Sequence, residues 1–467
     1  MTPAQRRIMV GVCLVIGMSL LVSGGLTFLV RPMAEDLGLS DATVDDLLAI
    51  PSVAALIMVF SAGQLGDRLG PRRTIVLAAV AFSAGGCVLA VAGNAYVAEI
   101  GLAICSAAAV TVQIVGISLL QQATVDGPAH VSAFTTLGAV FPLAFLIFPV
   151  ATAGALEFSP WQLIPVVWVL AGVVMLTVAL LMFEAEPGEP SVGESVTPLL
   201  AGIAFAAGAW AIAETDDLRV DPITIAVSAA VCLASGLACY ALARRHATPS
   251  FTFEPIRAQQ LPLLLLAIAL VTLAGLLTYV SIALEYLYDL TPYGASLAVI
   301  PAQIGAILGA RFLARHAIRR WGGVRAARFL MLALAATMLP LVLLSVGSPL
   351  WFLAGVATVF SFTWMAVLTV LNAEVMRRAP AEQTGAVSSF RTAASSLGTA
   401  VGVGVFGAII ISTVSMDGTT VDLGPEQLIA LTNGLRLAGL LASLVALMGW
   451  GVLRVVQRHS SPSADHA

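Results

Sequence analysis

Three observations predict an all-α protein embedded in a lipid bilayer. Hydrophobic residues make up 59% of the 467-residue chain and charged residues only 10%, where a soluble domain carries about 25% charge. The apolar residues fall in runs of about twenty, long enough for a helix to cross a hydrocarbon core of about 30 Å while satisfying its own backbone hydrogen bonds. Between these runs, arginines cluster in every second loop. A soluble enzyme is excluded.

Charge and turn signals divide the chain into fourteen candidate spans. They run approximately Ile8–Val30, Leu47–Gln64, Thr74–Gly93, Val97–Leu120, Val131–Leu156, Trp161–Phe183, Thr197–Ala213, Pro222–Ala243, Leu261–Leu284, Gly294–Ala314, Ala326–Val346, Leu350–Met376, Gly385–Val414 and Thr432–Val456. Arg6 and Arg7 precede a first run that is longer than a signal-peptide core and lacks a small-residue cleavage site, so it reads as a retained helix. An even number of spans places both termini on one side.

Loops that stay in the cytoplasm are enriched in basic residues. With the N-terminus inside, only Arg31, Arg219 and Arg436 fall near the outer face. The inward clusters are Arg68/Arg72/Arg73, Arg244/Arg245, Arg315/Arg319/Arg320/Arg325 and Arg377/Arg378. All 22 basic residues are arginine, a usage that points to a GC-rich bacterial genome. The expected location is a bacterial inner membrane with both termini cytoplasmic. Trp161 and Trp351 at outer helix ends and Trp321 at an inner one suit interfacial aromatics. Cys13, Cys87, Cys105, Cys232 and Cys239 all lie in apolar runs, where a thiol acts as a small hydrophobe. No disulfide framework, metal site or cofactor is expected.

The loop from Glu184 to Val196 is rich in Pro, Gly and Glu, and the segment from His246 to Gln260 is again polar. They frame the seventh and eighth spans. The resulting division is residues 1–183 as a six-helix bundle, 184–260 as a linker with two inserted helices, 261–458 as a second six-helix bundle, and 459–467 as a cytoplasmic tail. No loop is long enough for a nucleotide-binding domain, and no G-x-x-x-x-G-K-[ST] phosphate loop occurs.

The loop after the second span reads Gly63-Gln64-Leu65-Gly66-Asp67-Arg68-Leu69-Gly70-Pro71-Arg72-Arg73. Gly63 permits close helix approach, Gly70 a tight turn, and Asp67 suits the positive N-terminal end of a neighbouring helix. The stretch resembles the signature loop G-x-L-x-D-R-x-G-x-[RK] of the major facilitator superfamily. Gly63, Leu65, Asp67, Arg68, Gly70 and Arg72 stand at its fixed positions, and the resemblance implies a gating role for them. Pro380 to Gly385, Phe390-Arg391 and Leu397 to Gly402 look like the thirteenth helix of the fourteen-helix drug-exporter branch, and Pro292 to Pro301 resembles the start of its tenth. The implied fold is two six-helix bundles of major facilitator type plus two inserted helices. The implied activity is secondary transport by alternating access, with duplicated halves meeting at a midplane site and protons as coupling ion.

Proton-coupled members of that branch usually carry an aspartate in the first helix, an arginine in the fourth and G-P-x-x-G-G in the fifth. Here the corresponding stretches are Ser23-Gly24-Gly25, Ile100 and Phe148-Pro149 to Gly154. No ionisable group is expected near a helix centre. Gln113, Gln303, Trp364 and the neighbouring Thr363 are the central polar side chains, and Phe141 and Arg391 join the candidate cavity residues. Pro142 and Pro149 shape the fifth helix. Glu285 and Asp289, beside Tyr286 and Tyr288, form either a protonation site at the cavity mouth or an interfacial cluster. Glu374, also a candidate for proton coupling, stands four residues before Arg378, spacing that predicts an i,i+4 ion pair. Arg391 either binds an anion or pairs with an acid such as Glu374.

A cavity lined by aliphatic and aromatic side chains suits small lipophilic or amphipathic cargo, so export of such compounds is expected of a monomer in the bilayer, with no nucleic-acid partner. No Ser/His/Asp, Cys/His or metal-ligand constellation is present, and the chain is not expected to be an enzyme. Rival readings are a transporter of lipid or of one dedicated metabolite with little proton coupling, or a receptor or scaffold that kept the fold.

Overall fold

The structure, a computed structural model, describes residues 1–39, 41–124, 127–184, 196–213, 222–245, 260–275, 277–288, 290, 292–380, 383–413 and 424–460. Its regular structure is helical, with no strand among the described residues. In chain order the first part comprises α1 (Pro3–Ser19), α2 (Leu21–Leu37), α3 (Asp41–Leu69), α4 (Pro71–Ala90), α5 (Ala95–Ala123), α6 (Gly127–Leu156) and α7 (Leu163–Met182). Two helices follow, α8 (Val196–Ala213) and α9 (Pro222–Arg245). Next come α10 (Leu261–Leu273), α11 (Leu277–Tyr288), α12 (Pro292–Ala298), α13 (Ile300–Leu308), a π-helical turn (Gly309–Leu313) and α14 (Ala314–Trp321). The last part is α15 (Gly323–Met338), a 3₁₀ turn (Leu339–Leu343), α16 (Leu350–Arg377), α17 (Thr384–Thr413) and α18 (Pro425–Ser460).

Each predicted run is mostly helical in its described residues. Ten helices among them are long and apolar enough to cross a membrane, and Val196–Ala211 and Leu261–Leu273 are shorter apolar helices. Three runs are broken where a continuous helix was expected. The first breaks at Leu20: the Ser19 hydroxyl donates to the Ile16 carbonyl at 2.8 Å, and the Leu20 N–H divides between the Ile16 and Gly17 carbonyls. The ninth breaks after Leu273, where the Gly275 N–H closes a tight turn on Thr272. In the tenth, Pro301 opens α13 and lacks the donor that would continue α12.

Helix starts follow from local chemistry. Thr2 and Gln5 form a reciprocal capping box on α1, ahead of Pro3 at its first position. The Asn94 side chain accepts from the Val97 N–H at 3.0 Å and caps α5. Gly70 has φ 82°, a conformation that costs a β-carbon dearly, and Pro71 then begins α4.

Small residues set the helix spacing, as expected where lipid removes the hydrophobic drive for helix association. A methyl built on Gly85 of α4 would lie 2.9 Å from the Gly101 carbonyl of α5, and one on Gly101 3.0 Å from the Gly85 carbonyl. Helices α4, α5 and α7 thus form one closely packed group, with α1 against α5 and α7 and α2 against α6. Helices α10, α15, α16, α17 and α18 form another. The two groups meet where α17 crosses α3 and α5, and where α13 and α16 lie on α6. Helix α8 packs on α3 and α17 and carries α9. Large apolar side chains such as Leu170, Leu181, Leu233 and Leu343 point outward, where a bilayer would solvate them.

Trp351 is 74% exposed, as an interfacial residue should be. Trp161 departs from that expectation: it is 4% exposed, and its indole N–H donates to Asp36 Oδ2 at 2.8 Å. Asp36 also accepts from the Gln162 amide at 3.1 Å, so Trp161 ties α7 to the end of α2.

Candidate functional site

At the arginine-rich end, the two groups are joined by a layer of polar contacts. Asp67, in the last turn of α3, accepts a hydrogen bond through Oδ1 from the Gly385 N–H in the first turn of α17, at 3.2 Å. Orphan N–H groups and the helix dipole make that terminus attractive to a carboxylate. The approach requires glycine on both sides. A methyl on Gly63 would overlap the Gly385 carbonyl and the Ser389 hydroxyl, and one on Gly385 would overlap the Asp67 carboxylate. The rest of the signature loop is held by Thr74, whose hydroxyl donates to the Leu65 carbonyl at 2.9 Å and the Gly70 carbonyl at 3.0 Å. Arg72 donates to the Leu180 carbonyl near the end of α7 at 2.9 Å, and Arg68 occupies the last turn of α3.

Further bonds complete the layer. The hydroxyls of Ser118 and Thr384 lie 2.6 Å apart, the Gln122 amide donates to Thr384 at 2.9 Å, and the Ser388 hydroxyl donates to the Ile114 carbonyl at 3.0 Å. His130, 3% exposed, sits between two carbonyl oxygens: Nδ1 is 2.8 Å from that of Thr124 and Nε2 is 2.9 Å from that of Ala373 on α16. A neutral ring donates to one of them, an imidazolium to both.

Above this layer lies a cavity of about 1360 Å³, beyond the roughly 300–1,000 Å³ of ordinary small-molecule sites. It extends to Pro32 near the end of α2 and to Glu157 just past α6, at the end opposite the arginine-rich loops. Its walls are largely aromatic and aliphatic, including Phe28, Phe134, Phe141, Phe145, Phe360 and Met365. Pro142 and Pro149 of α6 both face it. Polar groups are few: Gln303 from α13, Asn372 from α16, and Arg391, Ser395 and Thr399 from α17.

The structure brings Phe141, Gln303, Trp364 and Arg391 to this cavity. The Trp364 indole donates to the Val271 carbonyl at 2.9 Å, which fixes its ring against the broken end of α10. Gln113 is not among the lining residues; its amide approaches the Ser19 hydroxyl at 3.4 Å, on the far face of α5. Thr363 likewise turns away and bonds the Val359 carbonyl.

Glu374 makes the predicted ion pair with Arg378 at 2.9 Å and a second with Arg377 at 2.7 Å. It is therefore engaged at the closed end and does not pair with Arg391. Arg391 instead donates through Nη1 to Asn372 Oδ1 at 3.2 Å and through Nη2 to Thr392 Oγ1 at 2.9 Å. Glu285 lies in α11, and Asp289 lies outside the described residues.

One residue that joins the two groups escaped the sequence reading. Arg311 stands in the π-helical turn, inside the tenth predicted span, and its Nη1 donates to Thr136 of α6 at 2.8 Å across the two groups. Its place three residues before the end of the predicted span made it look like part of the adjacent arginine cluster. The signal was Gly309, whose missing β-carbon lets this turn press on the Phe362 carbonyl.

Comparison with known proteins agrees with this architecture. Over 407 residues the chain is 24% identical to the multidrug efflux pump LfrA of Mycolicibacterium smegmatis, covering 82% of this chain and 76% of that protein. In three dimensions it is similar to the human organic anion transporter MFSD10 (TETRAN), with a TM-score of 0.67 and 17% identity over 97% of this chain and all of that one. It also resembles a bacterial homologue of the iron transporter ferroportin in an outward-facing state, with a TM-score of 0.60 and 11% identity over 98% of this chain and all of that one. The sequence profile of the Major Facilitator Superfamily matches residues 12–403, which takes in the polar layer, the cavity and the helices of both groups except α18, and the chain belongs to that family.

Proposed function

We propose that this chain exports small hydrophobic or amphipathic compounds by alternating access. The observation that carries the reading is one cavity between two helix groups, open toward Glu157 and sealed at the other end by the Asp67–Gly385 layer. Separating that layer while closing the opposite end would present the same walls to the other side of the membrane. In this reading Gly63, Leu65, Asp67, Arg68, Gly70 and Arg72 gate the arginine-rich end, and the chain crosses a bacterial inner membrane fourteen times. Both termini are cytoplasmic and the unit is a monomer. The similarity to a multidrug efflux pump supports export of more than one compound. Residues 1–183 and 261–458 would be the moving halves, with α8 and α9 as the inserted pair.

Proton coupling is the second-order question. Glu157 is the one carboxylate lining the cavity among the described residues, and the first span offers Ser23 and Gly24 there instead of an acid. That composition favours the alternative of a lipid or dedicated-metabolite carrier with weak proton coupling. The experiment is efflux of lipophilic fluorescent dyes from proteoliposomes, with and without a pH gradient. Export of several unrelated dyes supports the primary reading, and a rate indifferent to the gradient selects the weakly coupled form. No movement of any dye would leave the scaffold reading in its place.

A further inference from the structure

Arg391 is 8% exposed and lines the cavity about two turns into α17. Of its five N–H donors, one meets Asn372 and one meets Thr392, while buried Nε has no partner. Both partners are neutral. Among the described residues the nearest acid along the chain, Glu374, is held by Arg377 and Arg378. Glu157 stands at the opposite end of the cavity, on the order of 30 Å away by helix rise. A full positive charge therefore faces an apolar chamber whose one carboxylate among the described lining residues, Glu157, stands at the far end. Such a charge is costly unless something pairs with it, and a guanidinium fork is shaped to receive an oxyanion through two hydrogen bonds.

We infer that the cavity selects amphipaths whose polar end is an oxyanion such as a carboxylate, seated on Arg391 and Asn372 with the apolar body against the aromatic walls. The inference rests on the transport reading above and narrows its substrate class. Cationic lipophiles are disfavoured by the same charge.

The test uses three probes with one fluorescent body: pyrenebutyrate, its amide and the corresponding pyrenebutylamine. Each is titrated against the purified full chain in neutral-lipid nanodiscs. The carboxylate should bind about tenfold or more tighter than the amide, with the amine weakest. R391Q should bring the carboxylate down to the affinity of the amide, and R391K should keep part of the preference. Equal binding of carboxylate and amide to the wild-type chain overturns the inference and leaves general export standing. So does a preference that survives in R391Q, with a thermal unfolding transition confirming that this variant is folded. Binding of none of the three overturns both readings. An anionic phospholipid carries the same chemistry, so the titration is repeated in phosphatidylglycerol nanodiscs. Carboxylate binding that weakens there supports the site with a bilayer lipid as occupant, and unchanged binding supports a soluble amphipath.

Discussion

Asp67 and Gly385 are 318 positions apart in sequence and meet through one hydrogen bond at the first turn of α17. A carboxylate at a helix N-terminus is worth about 0.3–1 kcal/mol at an exposed site and up to about 2 kcal/mol when partly buried. Asp67→Asn keeps an acceptor but loses the charge. It should move the balance away from the sealed arrangement by about 5- to 30-fold, read as increased labelling of a cysteine placed within the layer. Unchanged labelling would show that Asp67 does not hold the end shut.

Gly63→Ala should act more strongly than its single methyl suggests. The added carbon meets the Gly385 backbone carbonyl, which cannot swing aside, as well as the Ser389 hydroxyl. Overpacking of this kind costs about 1–3 kcal/mol, here charged only to the sealed state. The variant should remain folded in detergent yet show the arginine-rich end persistently open to a maleimide reagent.

His130 bridges the two helix groups from a buried position, with its ring nitrogens against the Thr124 and Ala373 carbonyls and Phe134 packed on the ring face. His130→Ala removes that bridge and strands a buried polar group, at a cost of about 1–3 kcal/mol. Labelling of a cysteine placed within the layer should therefore increase. Labelling equal to that of the wild-type chain contradicts the prediction.

Trp161→Phe removes one hydrogen bond to Asp36 while keeping the buried ring. The loss is about 1 kcal/mol, lowering the apparent melting temperature by only about 1–2 °C in a chain of this size. Trp351→Phe, at an exposed position, should leave it unchanged.

The helices were legible because apolar runs and recurrent arginine clusters are properties of neighbouring residues. The position of Asp67 was legible too, since glycines at 63 and 70 and a base at 72 fix its loop. Whether a polar residue faces a cavity is a different matter. A membrane helix is apolar on every side, so no stripe marks its inner face. Gln113 and Gln303 therefore looked equivalent, and only the packing of α5 on α1 and of α13 on α6 separates them. The breaks at Leu20 and after Leu273 were hidden because their cause is hydrogen-bond competition by serine and tight-turn geometry, which leaves hydropathy unchanged. Arg311 was obscured by its arginine-rich surroundings, and Trp161 by a partner 125 residues away.

Alternating access is tested most directly by impermeant-maleimide labelling of two single-cysteine variants in a background with the native cysteines replaced. Phe28→Cys reports the cavity wall and Ser118→Cys the sealing layer. With the protein as described, position 28 should react and position 118 should be protected. Adding Asp67→Asn should reverse the pattern, with 118 gaining and 28 losing reactivity. Two positions that change in the same direction, or not at all, would contradict a carrier that exposes one cavity to each side in turn.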